Sequence, residues 1–223
     1  MTKKLLIQAL VKYFSGLILV MILLFLPAGT IQYWNAWIFI ALLFIPMLLA
    51  GIILMFKNPE LLRRRLDAKE KESEQKIVVL LSGIMFSSGF ILAGLNYRYQ
   101  WTKMPISIII IAAILLLLSY ILYGEVLREN EFLFRTIKVK KNQKVVDTGL
   151  YKIVRHPMYS STIILFLTIP LILGSIYSFI VFLIYPIIIV IRTNNEEKVL
   201  EKELTGYKEY KKKVKYKLIP YIW

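Results

Sequence analysis

Uncharged apolar stretches alternate with short basic blocks along the whole chain. The apolar runs are 5–26 (with Lys12 near its start), 31–56, 77–97, 105–123 and 158–191. A helix needs about 20 apolar residues to cross a bilayer, so each of the first four runs predicts one crossing. The last run is too long for one crossing. Pro170 and Gly174 sit near its middle, and both residue types disfavour a helix interior. This predicts a tight hairpin of helices 158–173 and 176–191, and six crossings in all. A charge at the centre of a spanning helix costs about 2.5–3.5 kcal/mol, and these runs are free of such charges. The expected fold is all-α: a polytopic integral membrane protein with a C-terminal helical hairpin and a cytosolic amphipathic tail. The N-terminal MTKK and the apolar run after it resemble a signal peptide. There is no small-x-small cleavage pattern near Pro27, so the segment reads as a retained helix.

Composition sharpens this picture. The chain has 223 residues, of which 58% are hydrophobic, and a mean hydropathy of +0.64. Soluble domains are nearer 45–50% apolar, so soluble, secreted and disordered classes are excluded. The net charge of +15 is concentrated in blocks between the apolar runs. Lys and Arg number three in the N-terminal stretch through Lys12, seven in 57–76, two in 98–104, eight in 124–157 and nine in 192–223. The connections 27–30 and 174–175 have none. The counts alternate as 3, 0, 7, 2, 8, 0 and 9 along the chain, so the positive-inside rule places the richer blocks, and both termini, in the cytoplasm. The basic residues then orient the chain and meet anionic lipid headgroups. The bilayer is the expected partner and nucleic acid is not. With no Cys and one His, a disulfide framework, a thiol nucleophile and a multi-histidine metal site are excluded, so no metal is expected.

The chain divides into 1–123, four hydrophobic helices and a charged loop, and 124–223, which concentrates the features suited to chemistry. Segment 147–161 reads DTGLYKIVRHPMYSS. Gly149 permits a sharp turn, and Pro157 suits the first turn of a helix. Tyr151, Arg155, His156 and Tyr159 cluster at that helix start, which carries unpaired N–H groups. Taken singly, these residues also suit an interfacial Tyr/Arg belt. In 192–220, Arg192, Asn195 and Glu196 share one helix face. Glu196 and Glu197 follow the last apolar run, where carboxylates oppose the helix dipole. Either the helix continues into the cytosol or the acids have a cationic partner. A bland reading puts Glu197, Glu201, Lys198 and Lys202 on a solvated outer face. Lys208, Lys211, Lys212 and Lys213 read as a headgroup-binding run.

The motifs G-L-Y-x-x-V-R-H-P-x-Y (149–159), R-x-x-x-E-E-x-x-L (192–200), Y-x-x-Y-K-K-x-V (207–214) and I-P (219–220) flank or follow the apolar hairpin. Together they resemble the isoprenylcysteine carboxyl methyltransferase family. Phospholipid N-methyltransferases share the pattern more loosely. The resemblance covers residues 130–221; the first four helices match in hydropathy alone. It implies a membrane methyltransferase that binds S-adenosylmethionine on the cytosolic side and releases S-adenosylhomocysteine. By position it implies that Gln143, Lys144, Val145, Val146, Tyr151, His156, Pro157, Met158, Tyr159 and Glu196 line the cofactor. It implies that Arg192 meets the carboxylate of a lipophilic acceptor such as a prenylated cysteine or similar isoprenoid acid. Two positions depart from the pattern: Ser161 stands where Gly is usual, and Val214-Lys215 where V-P is usual.

Elementary chemistry is compatible with these roles. Glu196 suits an ammonium or ribose hydroxyls, and Tyr and His suit hydrogen bonds or stacking. The positive end of the helix favours a neutral His156, and a neutral imidazole both donates and accepts. A carboxylate is already ionised at pH 7, so its methylation needs no general base and depends mainly on alignment. Other classes stay open: a lipid-amine N-methyltransferase, a membrane reductase of similar helical shape, or a binding protein without turnover. The reductase has no Gly-rich dinucleotide fingerprint here.

Overall fold

The computed structural model describes residues 3–67, 73–130, 132–133, 139 and 143–223, and among them it contains helices and turns but no strand. The helices are α1 (Lys3–Ala28), α2 (Trp34–Lys57), α3 (Pro59–Leu66), α4 (Ser73–Tyr99), α5 (Ile106–Glu129), α6 (Pro157–Ile172), α7 (Ile176–Phe182), α8 (Ile184–Glu203) and α9 (Tyr207–Lys213). Five stretches are long and apolar enough to cross a membrane: α1, α2, α4 from Lys76, α5, and α7 with α8 taken together. The 16-residue α6 is also apolar but shorter. The chain is thus an all-helical polytopic membrane protein. Large apolar side chains cover its outside; Leu26, Phe56 and Ile121 are each at least two-thirds exposed. That is the inverse of a water-soluble surface and suits a lipid solvent.

The helices run between two ends. One end gathers the connections 29–33, 99–105 and 173–175 and is called the turn end here. Gly174 makes the hairpin turn at φ +75°, a left-handed conformation that a side chain would strain. The turn is docked by neutral groups. Tyr33 Oη donates to the Leu173 carbonyl at 2.5 Å, and Asn35 Nδ2 to the Ile172 carbonyl at 2.8 Å. Asn96 Nδ2 reaches the Gly174 carbonyl at 3.2 Å. The expected hairpin is present, and its second limb breaks at Leu183. Pro186, with no N–H for the carbonyl of residue 182, accounts for the break.

The opposite end, the site end, holds the start of α1, all of α3, the end of α5, the start of α6, the end of α8 and the tail. α3 starts at Pro59 behind an Asn58 cap, whose Oδ1 accepts from Leu61 N at 3.0 Å. Lys12 of α1 donates to the Leu66 carbonyl at the end of α3. α5 runs beyond its apolar stretch to Glu129, aided by an Arg128–Glu125 pair, and so crosses the expected boundary after residue 123. α6 packs against α5, and α4 against α1, α7 and α8. Lys69, Lys71, Arg135, Lys138, Lys140 and Lys141 of the basic blocks lie outside the described residues.

Candidate active site

The site is built where the entry to α6 meets the end of α8 and the tail. A 3-10 turn, Gly149–Lys152, leads toward α6. Gly149 has φ +46°, and a Cβ there would lie 1.2 Å from Glu129 Oε1. Glu129 Oε2 instead accepts from Leu150 N at 3.0 Å, which ties the turn to the end of α5. Tyr151 is held at both ends: Asn130 Nδ2 donates to its hydroxyl at 2.9 Å, and its carbonyl accepts from Tyr210 Oη at 2.7 Å.

The tail returns along the entry to α6. Arg155 N and His156 N donate to the carbonyls of Tyr216 and Lys217, both at 2.9 Å. Ser160 Oγ donates to the Leu218 carbonyl at 2.6 Å. Arg155 Nη1 donates to the carbonyls of Val214 and Lys215 at 2.8 and 2.7 Å. The Val-Lys pair that departs from the motif is therefore held through its backbone, which does not require proline.

Two adjacent carboxylates on α8 do different things. Glu197 is 3% exposed. Its Oε1 accepts from Arg155 Nε at 2.7 Å and faces His156 Nε2 at 3.2 Å; Lys211 and Lys217 stand 3.4 and 3.3 Å from Oε2. The outer-face reading of Glu197 is thus corrected: α8 continues to Glu203 and its buried acid has cationic partners. Lys211 likewise belongs to this network, since it also pairs with Glu201 at 2.5 Å; it is not a purely headgroup-facing lysine. Because a carboxylate only accepts, His156 presents Nε2–H to it. Glu196, one residue earlier, turns the other way. Tyr159 Oη donates to Glu196 Oε2 at 2.7 Å and accepts from Arg192 Nε at 2.8 Å. One phenol therefore joins the guanidinium and the carboxylate.

Beside these groups lies a partly open cavity of about 100 Å³. Nine of the ten residues expected to surround a cofactor line it: Gln143, Lys144, Val145, Val146, Tyr151, His156, Met158, Tyr159 and Glu196. Pro157 begins α6 and is buried but does not line it, and Arg192 stands outside the lining, behind Tyr159.

Residues 106–205 match the model of the phospholipid methyltransferase family. No curated protein matches the chain. The phospholipid methyltransferase match runs from α5 through the end of α8, so it includes the 149–159 turn, Arg192 and both glutamates. Tyr207, Tyr210 and the returning tail lie beyond it.

Several residues at the site escaped sequence reasoning. Asn130, Phe132, Leu133, Leu200, Leu204, Tyr207 and Tyr210 also line the cavity. The Tyr207 hydroxyl is buried and has no hydrogen-bond partner among the described residues. Burial pushes the phenols of Tyr151, Tyr207 and Tyr210 well above the usual tyrosine range, so all three stay protonated at neutral pH. The usable signal was spacing: Leu200, Leu204, Tyr207 and Tyr210 follow Glu196 at three- and four-residue intervals.

Proposed function

We propose that the protein is a membrane methyltransferase that moves a methyl group from S-adenosylmethionine to the carboxylate of a lipophilic acceptor, such as a prenylated cysteine or similar isoprenoid acid. The observation that carries this reading is the Glu196–Tyr159–Arg192 chain. Its carboxylate borders the cavity, and its guanidinium stands on the other side of Tyr159. The phospholipid methyltransferase match over this region supports the reaction class.

The lining suits the cofactor. Tyr207 offers a buried hydroxyl with no partner among the described residues, Glu196 an anionic edge, and Phe132, Tyr151 and Tyr210 aromatic faces for a purine. Bound there, S-adenosylmethionine supplies an electrophilic methyl group on a sulfonium. The protein's own contribution is alignment. Glu196 and Tyr207 bind, Tyr151 and His156 shape the pocket, and Arg192 presents its fork to an acceptor carboxylate. Good alignment alone is worth up to about 7–11 kcal/mol of barrier. The site end, with the richer basic blocks and both termini, faces the cytoplasm in this account. The polar cofactor enters from water. The acceptor slides in from the bilayer, because each methylene kept out of water is worth about 0.8 kcal/mol.

The test is transfer of a labelled methyl group by the full chain in detergent, offered a long-chain prenyl thioether acid or phosphatidylethanolamine. A base-labile methyl ester on the acid is the expected product. A base-stable N-methyl product on the phospholipid would replace this reading with lipid-amine methylation. The description of the matching family favours that second reading, but a protonated amine must first lose a proton whereas a carboxylate need not. A membrane reductase has no supporting observation.

A further inference from the structure

The exposed face of α8 marks the level of the membrane surface. Ile184, Ile187 and Ile191 recur along it at three- and four-residue spacing, and all three are exposed. Asn194 and Lys198 continue the same exposed face. The face turns from apolar to polar between Ile191 and Asn194, where a spanning helix leaves the hydrocarbon layer. The returning tail crosses at this level. Lys217 Nζ donates to Asn194 Oδ1. The Leu218 carbonyl accepts from Ser160 at the start of α6, and the Leu218 side chain joins the main apolar core.

Beyond Leu218 the backbone closes on itself. Leu218 N and Ile219 N both donate to the Trp223 carbonyl at 3.0 Å, and Trp223 N donates to the Ile219 carbonyl at 3.1 Å. Tyr221 has φ +65°, a left-handed conformation uncommon in any residue with a side chain. The closed turn presents Ile219, Tyr221, Ile222 and Trp223 outward; Tyr221 is 87% exposed and Ile222 77%. Ring contacts fix its orientation. The Tyr216 and Tyr221 rings lie 5.4 Å apart, and Lys217 Nζ stands 5.0 Å from the centre of the Trp223 ring. Because Lys217 also bonds to Asn194, Trp223 stands at the level where α8 becomes polar. Lys208, Lys212 and Lys215, all exposed, precede the turn in the same tail. Large apolar side chains grouped on a surface mark a contact with something other than water. Trp and Tyr beside lysine suit the headgroup layer, with rings at the apolar edge and cations toward the phosphates.

We propose that the turn 218–223 is an interfacial anchor, seated among phospholipid headgroups, that fastens the tail to the bilayer. Its surface is continuous with the lipid-facing stripe of α8, which makes lipid its partner. The same tail brings Tyr207 and Tyr210 to the cavity, so the anchor holds one wall of the site at headgroup level. The proposal does not depend on which group is methylated.

The test exploits the absence of cysteine from the chain. Ile222→Cys in the full protein supplies a single thiol for a nitroxide label, and Tyr221→Cys serves if that variant does not fold. The same label at Ile187→Cys reports lipid, and at Lys212→Cys it reports water. In nanodiscs of phosphatidylcholine and phosphatidylserine, collisions of the label with oxygen, which partitions into lipid, are compared with collisions with a water-soluble nickel chelate. The oxygen-to-nickel ratio at position 222 should be several-fold above that at 212 and approach that at 187. A ratio equal to that at 212 would place the turn in water and overturn the proposal. Protection from both reagents would place it against protein, a second copy of this chain included, and would overturn it equally.

Discussion

At the turn end, Tyr33, Asn35 and Asn96 hold the hairpin with neutral hydrogen bonds to backbone carbonyls. At the site end, a buried carboxylate gathers Arg155, His156, Lys211 and Lys217, and charges tie α6, α8 and the tail together. The turn end has one task, to satisfy backbone groups near an apolar solvent, and neutral donors perform it at no charge-burial cost. The site end must fix a lysine-rich tail, seated through Tyr207, Tyr210, Val214 and Leu218, in one register beside a cavity. A buried ion pair is a poor source of net stability but punishes every arrangement that leaves it unpaired.

That contrast is open to attack at graded sites. Glu197→Ala should have the largest effect, since it leaves Arg155 buried without its partner at a cost of about 3–5 kcal/mol. A large drop in thermal unfolding temperature in detergent, with new trypsin cleavage among Lys211–Lys217, is the expected outcome. Wild-type protease resistance in this variant would show that the tail does not depend on the ion network. Glu196→Ala should instead spare the fold and lower cofactor affinity more than tenfold, the loss of a charge-assisted bond of about 1.5–3 kcal/mol. Glu201→Ala should do little, because its partner Lys211 also reaches Glu197. Arg192→Lys should reduce turnover far more than cofactor affinity, since a lysine cannot reproduce the planar fork. Calorimetry beside initial rates separates the two; a collapse of affinity with normal residual turnover would make Arg192 a cofactor ligand. Asn35→Ala at the turn end should be mildest, about 0.5–1.5 kcal/mol for a neutral bond, with cofactor binding intact.

The sequence made the spans legible because hydropathy and length are properties of local stretches. The hairpin was legible for the same reason, through Gly174. The Leu183 break was not, since Pro186 was absorbed into a continuous apolar run. At the site, helical spacing joined Arg192 to Glu196, but the phenol that joins their side chains comes from α6. The opposite directions of Glu196 and Glu197 were invisible because Arg155 lies 42 residues from Glu197 in sequence.

The most direct measurement of the central claim is calorimetric titration of S-adenosylmethionine into the purified full chain in detergent, with wild type and Glu196→Ala run side by side. The account predicts saturable binding by wild type and affinity lower by more than tenfold in the variant, both proteins unfolding at similar temperatures. No binding by folded wild type, or equal affinity in both, would contradict it.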